Sequence, residues 1–185
     1  MKEVEAKFKI HNSTFENVIT DFGAANSELV KYQHDIVYLF PEQMNRPIVA
    51  GSKIARVRTT SSGSITKHKL TLKIHSGIAL VSDEYEVAVD DAGIASQILL
   101  NLGMQEYVEV KKKRYETTDN AYNICIDEVE GLGLFIEVET LLERANNDAI
   151  LLTQEAMKSY LQSRGYIGEL CDVAYDVQLK RLQKI

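Results

Sequence analysis

The chain is poor in the residues that would mark it for export or for a membrane. Only two of its 185 residues are cysteine, Cys125 and Cys171, too few for a disulfide framework or a zinc centre. No apolar run approaches the roughly 18 residues of a membrane-spanning helix. The opening MKEVEAKFKI is charged, unlike a secretory leader. A cytoplasmic protein with no membrane role is therefore expected. A surplus of positive charge is also missing: 27 acidic side chains against 21 basic ones leave a formal net charge of −6. A nucleic-acid partner wants the reverse. The two prolines, Pro41 and Pro47, fall in one short stretch. With no linker, repeat or low-complexity segment, residues 1–185 read as a single domain long enough for a substantial core.

What the chain does have is alternation. In EVEAKFKI, Glu3, Glu5 and Lys7 occupy every second position, and Val4, Ala6, Phe8 and Ile10 stand between them. That period of two, with Val, Phe and Ile, predicts a strand. Further strands are expected over residues 28–40, 53–60, 65–75, 80–89, 105–118, 121–130 and 132–142. Their connections include SSGS, the Gly77 turn, the Asp119-Asn120 pair and the Gly131–Gly133 turn. Amphipathic helices are expected over 11–23, capped by Asn12 or Ser13, over 90–103, capped by Asp90 or Asp91, and over 146–165. The leucine-rich stripe of the third suits either core or a dimer surface. Residues 170–185 read as a peripheral helix. Eight strands, mostly in consecutive antiparallel pairs, with helices outside define an α+β class.

The polar faces of these strands are nearly single-signed. Arg56 and Arg58 share one face, Lys67, Lys69 and Lys73 another, and Lys112 and Arg114 a third. Glu84 with Glu86, and Glu137 with Glu139, do the same with acids, and Asp127 lies opposite Ile124 and Ile126. For any one strand the ordinary reading is a polar face in water. The recurrence points elsewhere, because eight strands are enough to close a barrel that holds one small ligand. Charges turned into such a lumen need partners. Arg and Lys suit the phosphoryl oxygens of a polyanion. The carboxylates suit Mg²⁺ or Mn²⁺, which prefer hard oxygen ligands and bridge substrate phosphates. A metal–triphosphate ligand satisfies both sets.

The order EVEAK, ARVR, LTLK, the YEV strand, KKKRY and IDEVEGLGLFIEVE resembles the CYTH superfamily, the triphosphate tunnel metalloenzymes. The resemblance spans residues 3–139 and rests most on the last block. It implies an eight-stranded antiparallel β-barrel, the triphosphate tunnel, with helices packed outside. It implies metal held by Glu3, Glu5, Glu137 and Glu139 with Asp127 close by, and triphosphate bound by Lys7, Arg56, Arg58, Lys73, Lys112 and Arg114. Glu84 and Glu86 match acids that orient the basic side chains or assist the metal. Lys112 and Arg114 are preferred to Lys111 and Lys113, which should point outward. One departure stands out. Relatives carry Asp-x-Tyr-Phe on the second strand where this chain reads Asp35-Ile36-Val37-Tyr38. Either Val37 replaces the tyrosine or the strand has slipped by one, which would turn every side chain over. Tyr38 is therefore given no role. The resemblance is closest to class IV adenylyl cyclase-like proteins, which make cyclic AMP and pyrophosphate from ATP. The alternative is an inorganic or thiamine triphosphatase, and a non-catalytic polyphosphate- or nucleotide-binding module is a third reading. Partners implied are a nucleoside triphosphate or other small triphosphate and a second copy of the chain. His11, His34, His68 and His75 show no metal-ligand spacing, and Cys125 reads as packing.

Overall fold

A computed structural model describes residues 2–23, 30–119, 122–143, 146–166 and 168–183. The expected strand start at 28–29, the Asn120 turn, Ala121 and the last two residues lie outside that description. Eight long strands form the body: β1 (Lys2–Ile10), β2 (Lys31–Leu39), β3 (Lys53–Ser62), β4 (Ile65–His75), β5 (Val81–Val89), β6 (Gln105–Asp119), β7 (Tyr122–Val129) and β8 (Gly133–Leu142). They are ordered β5-β4-β3-β2-β6-β7-β8-β1. Pairing of Lys2–Val4 with Val81–Asp83 closes the sheet into an antiparallel barrel. A ninth strand, β9 (Gly168–Leu170), unexpected from the sequence, pairs with Phe8–Ile10. Three residues are too short to show a periodicity. The free edge of β1 is thus shared, its first part with β5 and its last part with β9.

The described residues also form four α-helices: α1 (Phe15–Asp21), α2 (Ala92–Asn101), α3 (Asn147–Ser163) and α4 (Tyr175–Leu182). The cap of α1 is Thr14, whose hydroxyl accepts from the Asn17 amide, rather than Asn12 or Ser13. Asp91 caps α2 and Asn146 caps α3, each accepting an amide three residues on. The tight β7–β8 turn uses Gly131 and Gly133, both at positive φ, a conformation that side chains with a Cβ rarely adopt.

The alternation sorts each strand between two cores. Ala6, Phe8 and Ile10 of β1 point outward with Ile124, Ile126, Ile136 and Val138, under Phe15 and Val18 of α1 and Met157 and Leu161 of α3. A second outer cluster packs Tyr38, Ala55 and Val57 against Ala95 and Leu99 of α2. The leucine-rich stripe of α3 divides, with Ile150 and Leu161 buried and Leu151 and Leu152 exposed. The barrel interior is apolar at one end, where Val37, Val108, Val110, Val129 and Phe135 meet Tyr175 of α4. The rest of the interior is charged.

Candidate functional site

The strand register brings the charged faces together. Lys7 stands opposite Glu137, and Glu5 opposite Glu139. Arg58 faces Asp35, Arg114 faces Asp127, and Lys73 faces Glu84. The result is a cavity of about 320 Å³. Glu3, Glu5, Lys7, Arg56, Arg58, Lys73, Glu84, Glu86, Lys112, Arg114, Glu137 and Glu139 all line it. Lys112 and Arg114 are buried, whereas Lys111 is exposed and Lys113 reaches outward to Glu16 and Glu128.

Asp127 is the exception among the residues singled out from the sequence. It is fully buried, does not line the cavity, and gives both oxygens to the cations above it. Lys112 Nζ donates to it at 2.8 Å and Arg114 Nε at 2.6 Å. Asp35 plays the same part for Arg58, which donates Nε at 2.6 Å and a terminal nitrogen at 2.7 Å. These bidentate pairs fix the guanidinium planes and leave the remaining donors for a ligand. Arg58 holds Asp35, and Lys7 followed by Arg114 holds Glu137, well below the ordinary carboxylate range despite burial. Burial beside Arg114 pulls the Lys112 pKa down. Arg56 sits 3.6 Å from Glu84 and 3.8 Å from Asp35.

The acidic corner differs. Glu5 and Glu139 lie directly across the β1–β8 ladder, where like charges repel. Burial and the Glu137 charge push Glu5 up to about 7, Lys7 notwithstanding. Burial likewise lifts Glu139 to about 7, against Arg114 and with Glu137 and Glu5. Glu3 is raised by burial even though Lys73 donates to it at 2.8 Å. Ligand atoms of Glu137, Glu139 and Cys125 lie within 4.8 Å of one another, and the Cys125 thiol donates to Glu139 at 3.5 Å. A cluster of hard oxygen donors that its own neighbours leave short of positive charge fits a divalent cation such as Mg²⁺ or Mn²⁺.

Asp35, Tyr175 and Asp176, and Lys69, which shares the charged face of β4 with Lys73, also line the cavity, although none of them was expected in the site. Asp35 had a signal: it shares the inward period of β2 with Val37. Val37 faces the interior and Tyr38 lies under α2. Pairing with β6 steps from Val37↔Val108 to Tyr38↔Glu106, leaving Tyr107 as the extra residue of a bulge. Tyr175 and Asp176 carried no such signal. They belong to the first turn of α4, which was expected to be peripheral and which the Cys171 amide anchors by donating to the Lys7 carbonyl at 2.8 Å.

A closed antiparallel barrel with this inward charge pattern defines a class, and the comparisons supply it. The CYTH domain model matches residues 1–165, so the chain belongs to the CYTH domain family. A Methanocaldococcus jannaschii protein named "Putative adenylate cyclase MJ0240" is 28% identical over 182 residues, covering 89% of this chain and 99% of that one. Among solved structures, the PH1819 protein of Pyrococcus horikoshii is 28% identical with a TM-score of 0.76, covering 98% of both chains. HpAC1 from Hippeastrum, described as a "putative adenylyl cyclase" with a dominant triphosphatase activity, shares the fold at 15% identity. Its TM-score is 0.64, covering 100% of this chain and 97% of that one.

Proposed function

We propose that the protein is a divalent-metal-dependent enzyme acting on a small triphosphate, and that it is a class IV adenylyl cyclase. The observation that carries the first part is the convergence of every residue of the family pattern except Asp127 on one cavity, where lysines and arginines share the lining with carboxylates, two of which, Glu5 and Glu139, burial pushes up to about 7. Family membership and the cyclase name of the archaeal relative support the second part.

Lys7, Arg56, Arg58, Lys73, Lys112 and Arg114 bind and align the phosphate chain, neutralising the charge that develops on the leaving oxygens. Asp35 and Asp127 are positioning residues that hold Arg58, Lys112 and Arg114 in place, and Glu84 does the same for Arg56 and Lys73. Glu3, Glu5, Glu137 and Glu139 hold the cation. A bound Mg²⁺ or Mn²⁺ would neutralise phosphoryl oxygens and lower the pKa of the attacking hydroxyl. In the cyclase the ribose 3′-oxygen bonds to the α-phosphorus, its proton leaves to solvent, and pyrophosphate departs. A triphosphatase is the second reading. There water bonds to the terminal phosphorus and loses a proton to solvent, the bond from that phosphorus to the bridging oxygen breaks, and the diphosphate end of the substrate leaves, so that orthophosphate is formed. The lining itself favours this reading in one respect, because its charged residues all address phosphate or cation.

The two readings separate by product. Purified protein is incubated with Mg²⁺ or Mn²⁺ and, in turn, ATP, thiamine triphosphate and tripolyphosphate. Cyclic AMP with pyrophosphate supports the cyclase; orthophosphate without cyclic product overturns it in favour of the triphosphatase. No turnover of any of the three overturns both and leaves a binding module. We further place the protein in the cytoplasm as a homodimer. Both cysteines are free thiols, and among the described residues no helix is long and apolar enough to cross a membrane. Sedimentation equilibrium at micromolar concentration tests the dimer.

A further inference from the structure

We propose that Tyr175 is a substrate contact whose hydroxyl donates a hydrogen bond to a phosphoryl oxygen of the bound triphosphate. This rests on the triphosphate reading above and adds a residue that lies past the matched span of residues 1–165.

The ring is held on several sides. Lys7 Nζ sits 3.9 Å from its centroid and Lys112 Nζ 5.1 Å away, so the π-face seats two of the cations of the phosphate wall. Phe135 meets it edge-on with centroids 4.9 Å apart. The residue is 7% exposed and lines the charged cavity. Yet its hydroxyl, itself buried, has no hydrogen-bond partner among the described residues. An unpaired buried hydroxyl is a costly arrangement that native proteins avoid. The nearby acids cannot easily relieve it: Glu137 is engaged by Lys7 and Arg114, and Asp127 by Lys112 and Arg114. Burial and those same carboxylates keep the phenol protonated, as a donor. What such a donor lacks, in a cavity walled by cations, is an anionic oxygen.

The backbone that carries the ring is tied down on both sides of it. β9 pairs with β1, the Cys171 amide is fixed to the Lys7 carbonyl, and Lys180 Nζ donates to the Tyr107 carbonyl at 2.9 Å. The first turn of α4 is thereby held between these points.

The test uses the full chain, without metal, and tripolyphosphate as the probe. Tyr175→Phe keeps the ring and its contacts with Lys7 and Phe135 and removes only the hydroxyl. Calorimetric affinity should fall by about tenfold, as for one hydrogen bond to a charged acceptor, with the melting temperature of the free protein unchanged or raised, since an unpaired buried hydroxyl has been removed. In the wild type, tripolyphosphate should perturb the near-ultraviolet absorption of a tyrosine, and the variant should lose that signal. Equal affinity in the two proteins would overturn the inference while leaving the triphosphate reading intact. A wild-type titration with binding but no tyrosine signal would do the same, whatever the variant's stability. If the wild type fails to bind tripolyphosphate, the triphosphate reading fails and takes this inference with it.

Discussion

Two walls of one cavity treat buried charge in opposite ways. On the basic wall, Arg58 rests on Asp35, and Lys112 and Arg114 rest on Asp127, each at hydrogen-bonding distance and away from solvent. These pairs are complete in themselves, and the acids beneath hold the cations in the geometry a phosphate needs. On the acidic wall, Glu5 and Glu139 face each other across neighbouring strands and titrate near 7. Among the described residues, Lys7 at 3.0 Å from Glu5 and Arg114 at 3.9 Å from Glu139 do not offset their burial. The first wall is pre-organised by the protein; the second is completed only by a cation or by protons.

Removing the acidic wall should give the largest effect. Glu137→Gln together with Glu139→Gln should abolish turnover of ATP, thiamine triphosphate and tripolyphosphate alike. Retained product formation would show that the cation is held elsewhere. Breaking the support of the basic wall should damage the fold first. Asp127→Asn leaves Lys112 and Arg114 without their buried partner, and a loss of about 3–5 kcal/mol is expected for breaking such a pair. Urea denaturation measures it; a change within error would mean that the cations relax toward Glu137.

The acidic wall also predicts a pH dependence. Glu5 and Glu139 have folded pKa values near 7 against an ordinary 4.5. Between those values the folded chain binds more protons than the unfolded one, so their contribution to stability declines as pH rises from about 4.5 to about 7. A cation that needs them ionised should bind more tightly above pH 7. Thermal stabilisation by Mn²⁺ should therefore be larger at pH 8 than at pH 6, and Glu5→Gln with Glu139→Gln should flatten the difference. The smallest effect is expected outside the barrel. Lys111→Ala, on an exposed pair with Glu109, should change stability by no more than about 0.5 kcal/mol and leave turnover as it was. A large loss there would reverse the inside–outside assignment of β6.

Much of this was legible because a strand advertises its two faces. Once Glu3, Glu5 and Lys7 alternate with Val4, Ala6 and Phe8, the side-chain period of two assigns every charge a face. All eight long strands were found within a few residues of their observed limits. The misses have other physical origins. β9 is too short for any period, and Thr14 rather than its neighbours caps α1 because the helix starts slightly later than its polar lead suggests. That Lys112 and Arg114 occupy both oxygens of Asp127 is set by strand pairing and is not legible in the sequence. Tyr175 sits on a helix whose pattern carries no mark of an enclosed cavity.

The sequence by itself determined which side chains share a face of each strand, and hence that most strands present charge of one sign on one face, because backbone pleating is local. Tertiary structure alone decided which strands became neighbours, which acid met which base, and how far α4 reached into the lumen. Those outcomes depend on contacts between residues as distant in the chain as Lys7 and Tyr175, whose pairing no local periodicity encodes.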